Sequence, residues 1–415
     1  VSAGRDSALP DSVTWFVPGR VEMLGKHTDY AGGRSLLAAV DRGHTVTARA
    51  REDRLLRVTS SIARETIEID LDAPEAAERQ GAGHWSGYVR TVVDRLRANF
   101  PGRTRGAEIG IESDLPLAAG MSSSSALVVG LALALGELCG MGEDEAYRRT
   151  VTDRERLAEY LGCVENGQSY GPLAGHRGVG TFGGSEDHVA MLCGREGQAV
   201  QYSFCPVAFE RAVPFPEDRA LIIAVSGVQA EKTGSALEHY NRVSLSARDI
   251  VGLWHDRTGG SEATIGEVLA SSPEAADTLR DMVDPGSYLD GRLSQFLEES
   301  ERIIPAAADA LGAGDLSAFG DLVDESQQLA EEGLGNQTPE TVALQRMARA
   351  MGADAASAFG AGFGGSVWAM VPAEQADRFA VDWVDHYADT FPVAGRAATW
   401  LITRPGAPAH RVRAD

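Results

Sequence analysis

Lysine is almost missing from this chain: of 38 basic side chains only Lys26 and Lys232 are lysines, and all the others are arginines. Positive charge is short overall, with 60 acidic residues leaving a formal net charge of -22. That surplus repels nucleic acid and anionic lipid surfaces, so the expected partner is a small molecule, with no nucleic acid and no membrane. Cysteine is scarce too. The four present, Cys139, Cys163, Cys193 and Cys205, have neither CxxC spacing nor a paired framework. This excludes a zinc finger and a disulfide scaffold, and a reducing, cytoplasmic setting is the expectation. Long apolar runs are lacking, since the most apolar stretch, Ala126 to Leu135, is far short of a bilayer span. The opening VSAGRDSALPDS has no basic region followed by an apolar one, so no targeting segment is expected there.

What is present is an ordinary globular composition, 43% hydrophobic and 24% charged over 415 residues. A chain of that length exceeds what one core usually organises, so two domains are expected. Residues 13 to 24 alternate as a strand, and SLLAAVDRGHTVTARARED continues the β-structure after two glycines. WSGYVRTVVDRLRANF carries apolar residues at helical spacing, and GAEIGIESDLPL reads as a strand entering a turn. ALVVGLALALGEL then predicts a helix apolar almost all round, hence buried, with the serines before it as N-cap hydroxyls. A strand in PEDRALIIAVSG opens a second, largely helical half, so the division expected is 1–215 and 216–415. Thr338-Pro339-Glu340 signals a helix start and Gly352 its stop. SAFGAGFGGSVWAMVP then reads as strand, glycine turn and strand.

Four segments carry chemistry. In DLPLAAGMSSSSA, residues 114 to 126, a strand turns through small residues into the buried helix, so N–H groups and the positive helix end converge on one point. Such a cradle suits phosphates, with serine oxygens able to ligate Mg²⁺; a well-capped core helix is the plain alternative. PGRVEMLGKHTDYAGG, residues 18 to 33, sets Arg20, Lys26, His27 and Asp29 around glycines, as polyhydroxyl recognition requires or as a hairpin with solvated charges allows. GVGTFGGSEDH places Glu186, Asp187 and His188 after a glycine-rich segment, a candidate base on a loop or an ordinary acidic turn. FGAGFGGS at 359 to 366 is a glycine-rich turn between strands.

In order and spacing these segments resemble the GHMP kinases, specifically the galactokinase branch. PGRVEMLGKHTDYAGG is similar to the signature GRVNLIGEHTDYxxG, DLPLAAGMSSSSA to the phosphate loop PxGxGLSSSA, and FGAGFGGS to the motif GGGFGG. GGSEDH resembles the GIMDQ segment, and SGVQAEKTGSALEHYNRVS the stretch ending in EYNxRR. The resemblance covers about residues 13 to 371. It implies an α+β, two-domain GHMP kinase fold, with an N-terminal domain like ribosomal protein S5 domain 2, a ferredoxin-like C-terminal domain, and the site between them. It also implies the cofactors ATP and Mg²⁺.

Carried over by position, the resemblance implies Asp187 as base and Arg20 as the cation beside it. Gly120, Met121, Ser122, Ser123 and Ser124 would hold nucleotide, and Ser124 the metal with an acidic partner for which Glu165 is the candidate. His27, Asp29, Gly184 and Tyr240 match sugar-contacting positions, and the two lysines, Lys26 and Lys232, are substrate candidates because both fall in segments that resemble substrate-lining motifs. Lys26 stands where the signature has a sugar-contacting glutamate, Ala118 where the phosphate loop has glycine, and His188 where the GIMDQ segment has glutamine. The segment from Asn166 to Asp187 is also longer than in typical galactokinases. The expected function is phosphorylation of a sugar hydroxyl, the anomeric one of a galactose-like or C6-modified monosaccharide. A cyclitol or other polyol kinase, and a catalytically silent sugar sensor, are the alternatives.

Overall fold

The structure, a computed structural model, describes residues 9–73, 84–115, 120–228 and 235–413, with the side chains of 235–240 outside the description. Two sheets organise it. The larger contains β1 (Ser12–Leu24), β2 (Arg34–Ala50), β3 (Leu55–Ser60), β4 (Glu65–Asp70), β5 (Ala107–Ser113), β6 (Gln198–Ser203) and β7 (Ala208–Pro214). β8 (Arg219–Val225), β9 (Ala355–Phe359), β10 (Ser366–Pro372) and β11 (Thr399–Thr403) make the smaller, antiparallel sheet in the order β11-β8-β10-β9. After β11 the chain returns to the larger sheet, where β12 (His410–Arg411) pairs with β1.

The helices of the first half are α1 (Trp85–Asn99), α2 (Ser123–Leu138), α3 (Glu145–Thr150), α4 (Arg154–Asn166) and α5 (Glu186–Cys193). α2 packs on β1 and β2 and is buried nearly all round, as its apolar composition requires. Between β8 and β9 lie α6 (Ser235–Thr258), α7 (Ile265–Ser271), α8 (Ala275–Arg280), α9 (Tyr288–Leu297), α10 (Ile304–Ala313), α11 (Leu316–Leu329) and α12 (Pro339–Ala350). α13 (Ala376–Thr390) follows β10. α12 begins as its sequence predicts, with Thr338 and Thr341 forming a reciprocal cap ahead of Pro339. α9 and α10 are joined by a π-helical turn, Glu298–Ile303. No helix among the described residues is long and apolar enough to cross a membrane.

Strand alternation decides what β1 offers to each side. Val21 and Met23 point into a core shared with Ile223 of β8 and Trp368 of β10, all of them fully buried. Each such side chain contributes roughly 1.5–3 kcal/mol by leaving water. One apolar core therefore joins the two sheets. Arg20 and Glu22 take the opposite face of β1, where the chemistry collects.

Beyond β1 the chain turns at Gly25, whose φ of +120° and 2.4 Å clearance between a notional Cβ and Ser35 Oγ exclude any side chain. The helices of the second half hold this turn by its backbone. Glu299, on the π-helical turn, accepts the Gly25 N–H at 2.8 Å. On α9, Gln295 donates to the Lys26 carbonyl at 3.1 Å and the buried Arg292 to the His27 carbonyl at 2.6 Å. His27 is thereby fixed at φ +59°, a left-handed conformation uncommon outside glycine.

Candidate active site

Arg20 and Asp187 meet at the centre of a pocket between the two sheets, with Nε 2.5 Å from Oδ1. Burial works against the Arg20 charge, but Asp187, Glu186 and Glu22 outweigh it and keep the guanidinium protonated. Its Nη1 donates to the Gly120 carbonyl at 2.6 Å, tying the ion pair to the entrance of α2. The other Asp187 oxygen accepts from Ser122, and Ser125 lies 3.3 Å from it.

The sequence reading takes GGSEDH as a loop. Instead Glu186, Asp187 and His188 form the first turn of α5, because apolar VAML follows at once and two carboxylates there suit the positive end of the helix dipole. The preceding glycines serve as a tight wall. At Gly184 a Cβ would lie 2.1 Å from Asp29 Oδ2, so only glycine admits that carboxylate. Asp29 accepts the Tyr30 and Glu186 N–H groups at 2.8 and 3.0 Å. Burial raises its pKa and these bonds oppose the rise. Asn166, at the end of α4, holds the Gly183 backbone from both sides, through Nδ2 at 2.8 Å and Oδ1 at 3.0 Å.

His27 lies against the glycine turn after β9, with Nε2 3.0 Å from the Ala361 carbonyl and Nδ1 2.9 Å from the Tyr30 hydroxyl. Gly360 of that turn donates to Glu22 Oε2 at 3.2 Å. Glu22 is 2% exposed, and burial pushes its pKa up to about 7, with Lys26 and Arg20 working against the rise. Glu186 rises well above the usual range, through burial first and then through Glu22, Asp29 and Asp187; its Oε2 accepts from Ser35 at 2.6 Å.

Lys26 requires a correction. The sequence reading gives it to the substrate, but it does not line the pocket. It is 1% exposed and its Nζ reaches Ser357 Oγ on β9 at 2.8 Å and Ser326 Oγ on α11 at 3.3 Å. The reason lies in the Gly25 turn, which rotates the next side chain away from the Arg20 face and into the junction of the two halves. Of the other sequence candidates, Arg20, His27, Asp29, Glu165, Gly184 and Asp187 share this pocket. Lys232, Ala118 and the Tyr240 side chain lie outside the described residues.

Ser123 and Ser124 open α2, where first-turn N–H groups have no partner within the helix. Met121 is buried and reaches the site only through its backbone, its carbonyl accepting the Arg20 N–H at 3.3 Å. The serine that touches the carboxylates beyond Ser122 is Ser125, which donates to Glu165 Oε2 at 2.9 Å. His188 Nε2 stands 3.1 Å from the same oxygen. Ser125, Glu22 and Asn166 also line the pocket and carry no distinctive signal in the sequence: a fourth serine in a run, an alternating strand glutamate and a helix-terminal asparagine have structural roles almost everywhere else.

Comparison with known proteins agrees with this geometry. Residues 5–50 match the galactokinase galactose-binding signature, 87–173 the GHMP kinases N terminal domain and 307–389 the GHMP kinases C terminal domain. The galactokinases of Chloroflexus aurantiacus and Chloroflexus aggregans are 31% and 30% identical to the chain over 396 residues, 94% of this chain and 91% of each relative. The crystal structure of Lactococcus lactis galactokinase complexed with galactose superposes with a TM-score of 0.80 at 25% identity, covering 97% of this chain and 96% of that one. Methanococcus jannaschii mevalonate kinase shares the fold, with a TM-score of 0.59 at 14% identity. A chain whose β1 segment, α2 entrance and glycine turn converge on one Arg–Asp pair, and which matches these relatives along nearly its whole length, belongs to the galactokinase family of GHMP kinases.

Proposed function

We propose that the protein transfers the γ-phosphoryl group of ATP to a hydroxyl of a galactose-like monosaccharide, the anomeric hydroxyl being the acceptor. The observation that carries this reading is the Arg20–Asp187 pair, 2.5 Å apart in the pocket and tied to the N-terminal end of α2. Phosphoryl transfer of this kind has a loose transition state, so positioning and charge stabilisation do most of the work. Asp187 orients the sugar hydroxyl and takes its proton as the bond to phosphorus forms. Arg20 holds that carboxylate in place and offsets negative charge gathering on the transferred group. His27, Asp29 and the Gly184 wall position the ring, with His27 and Asp29 presenting fixed polar groups and glycine leaving room for a close approach.

Gly120, Met121 and Ser122 to Ser124 form the phosphate end of the reading, because a helix N-terminus lined by small residues binds anions through its N–H groups. The donors around it, Ser124, Ser125 and Glu165, are all oxygen, which is the donor set Mg²⁺ prefers. Ser124 and Glu165 would hold the ion, which when bound neutralises charge on the phosphates. The test is ADP release from ATP with a panel of sugars, uronic acids and cyclitols, and assignment of the phosphate position by NMR. A C1-phosphate from a hexose supports the reading; release with a cyclitol alone overturns it.

A further inference from the structure

Behind the wall formed by Gly183 and Gly184 lies a second cavity of about 310 Å³, larger than the space of about 70 Å³ beside Arg20 and Asp187. Its sides are α4, the middle of α6, the entrance to α7 and the long segment that joins Asn166 to Asp187. That segment is firmly held. Leu173 is buried in the core of the first half, Arg95 donates to the Gln168 carbonyl at 2.7 Å, and the Tyr170 hydroxyl donates to Glu159 Oε2 at 2.7 Å. The cavity is therefore built into the fold.

Tyr30, Asn166, Gly183 and Gly184 line both spaces, so the two are separated by little more than one thickness of backbone. On one face Gly184 meets the Asp29 carboxylate. On the other, α4 packs so closely that a Cβ on Gly162 would lie 3.0 Å from the Gly184 carbonyl. Glycines have no side chain to absorb a displacement, and packed interiors transmit strain. Tyr30 and Asn166 extend the connection, the first standing 2.9 Å from His27 Nδ1 and the second donating to the Gly183 carbonyl at 2.8 Å. An occupant of the larger cavity rests on groups whose other side faces Asp29 and His27.

The lining states what that occupant is. The rings of Tyr30, Tyr170 and Phe182 face the apolar side chains of Val251 and Ile265. Glu159 is the carboxylate of the lining, and it is already satisfied by Tyr170, by the Val207 N–H at 2.6 Å and by Arg156 at 2.6 Å. Arg248 is exposed, lies over the Phe182 ring at 5.3 Å from its centroid and forms no ion pair among the described residues. A guanidinium placed beside an aromatic ring offers a fork of N–H donors to an anionic group while the ring stacks on the rest of the ligand. The volume is at the small end of ligand sites.

We propose that this cavity is an effector site for a small planar aromatic acid, with its rings among Tyr30, Tyr170 and Phe182 and its anionic group on Arg248, and that its occupancy is coupled to sugar binding through the glycine wall. The coupling rests on the reading of the neighbouring pocket as the sugar site; the binding does not. By linkage, each ligand changes the affinity of the other by the same factor.

The experiment uses the full chain and two fluorescent probes with one ring system, 1-anilinonaphthalene-8-sulfonate and the uncharged N-phenyl-1-naphthylamine. The sulfonate is expected to bind saturably, and Arg248→Ala to weaken it about tenfold while changing the uncharged probe less than about twofold. Ser244→Phe, which fills the cavity from α6, is expected to weaken both probes about tenfold or more and to leave sugar turnover without probe within about twofold. Thermal melting verifies that this variant folds. Cys163 and Cys205 line the cavity, whereas Cys139 lies in the core of the first half. The sulfonate should therefore slow alkylation of the first two by iodoacetamide at pH 9 relative to the third, read by mass spectrometry in the unaltered chain. Galactose is expected to shift the Kd of the sulfonate by about fivefold to a plateau, and the sulfonate to shift that of galactose equally. Absence of saturable binding, probe affinities indifferent to both variants, or unprotected Cys163 and Cys205 overturns the site. A Kd that climbs with galactose without a plateau means direct competition and overturns the effector role, and a Kd unmoved by galactose that calorimetry shows to be bound overturns the coupling. Galactose neither bound nor phosphorylated takes down the sugar reading and the coupling with it, while the aromatic-acid site stands or falls on the probes.

Discussion

Arg20 and Lys26 are two buried cations six residues apart on one segment, and they do opposite things. Arg20 faces the pocket, shares its charge with Asp187 and sits in a field of carboxyls. Lys26 faces away and joins β9 and α11 through two serine hydroxyls. Between them lie a shift in the β1–β2 register near Glu22 and Leu24, and the Gly25 turn. What a buried charge does is thus set by the backbone that aims it, more than by its presence in a motif. The Arg20 side chain lines the pocket, whereas the Lys26 side chain is closed off from solvent.

The largest effect that tests this contrast is at Asp187. Asp187→Asn keeps the shape and a hydrogen-bond acceptor but removes the charge and the basic oxygen. Turnover should fall by roughly 10²- to 10⁴-fold with the fold retained. Steady-state kinetics beside a melting curve check this, and a near-wild-type kcat removes Asp187 from the chemistry.

Lys26→Met breaks the other side of the comparison. It deletes a charged donor to Ser326 and Ser357, of which the bond to Ser357 is the shorter, and one hydrogen bond to a charged group is worth about 1.5–3 kcal/mol. Stability in urea should fall by about 2–3 kcal/mol, while KM for the sugar stays within about threefold. A tenfold rise in KM at unchanged stability would return Lys26 to the pocket.

The smallest effect is in the dependence of stability on pH. Burial holds Glu22 up to about 7 and moves Glu186 and Asp29 in the same direction. A carboxyl raised in the fold means that the folded chain binds more protons than the unfolded one between the ordinary carboxylate range and pH 7. The associated stability is present at the acid end of that window and is lost as pH rises through 7, by about 1–3 kcal/mol. Melting temperatures from pH 5 to 8 should decline, and more shallowly in Glu22→Gln. An identical slope in the two proteins would locate the protons elsewhere.

Much of the framework was legible in the sequence, for physical reasons that differ by element. β1, β2, α1 and α2 announce themselves by periodicity and α12 by its cap and proline, and the structure has each in place. β3 and β4, LLRVTS and ETIEID, do not stand out in the same way, being short strands at the far side of the sheet with alternate positions exposed. α5 was hidden behind its glycines, since eight residues give too few turns for a period to show. In the pocket, Arg20, His27, Asp29, Gly184 and Asp187 could be picked out because their motifs are distinctive. The direction of Lys26 could not. Counting alternation from Arg20 puts Glu22, Leu24 and Lys26 on one face, yet Leu24 belongs to the shared core and Gly25 resets the count.

The π-helical turn Glu298–Ile303 gives the molecule a particular intolerance to change in length. Such a turn contains about one residue more than an α-helix would over the same distance, the mark of an insertion that the surroundings have absorbed. Removing one residue there would leave a more regular helix, better by any local measure. It would also rotate everything that follows by about 100° relative to α9. With the deletion at Glu298, Glu299 would lose its alignment with Gly25 N–H, while Gln295 and Arg292, upstream of it, kept theirs. The grip on the 25–27 turn would be split in two, so this helix carries its irregularity as part of the support of a turn more than 270 residues away in sequence.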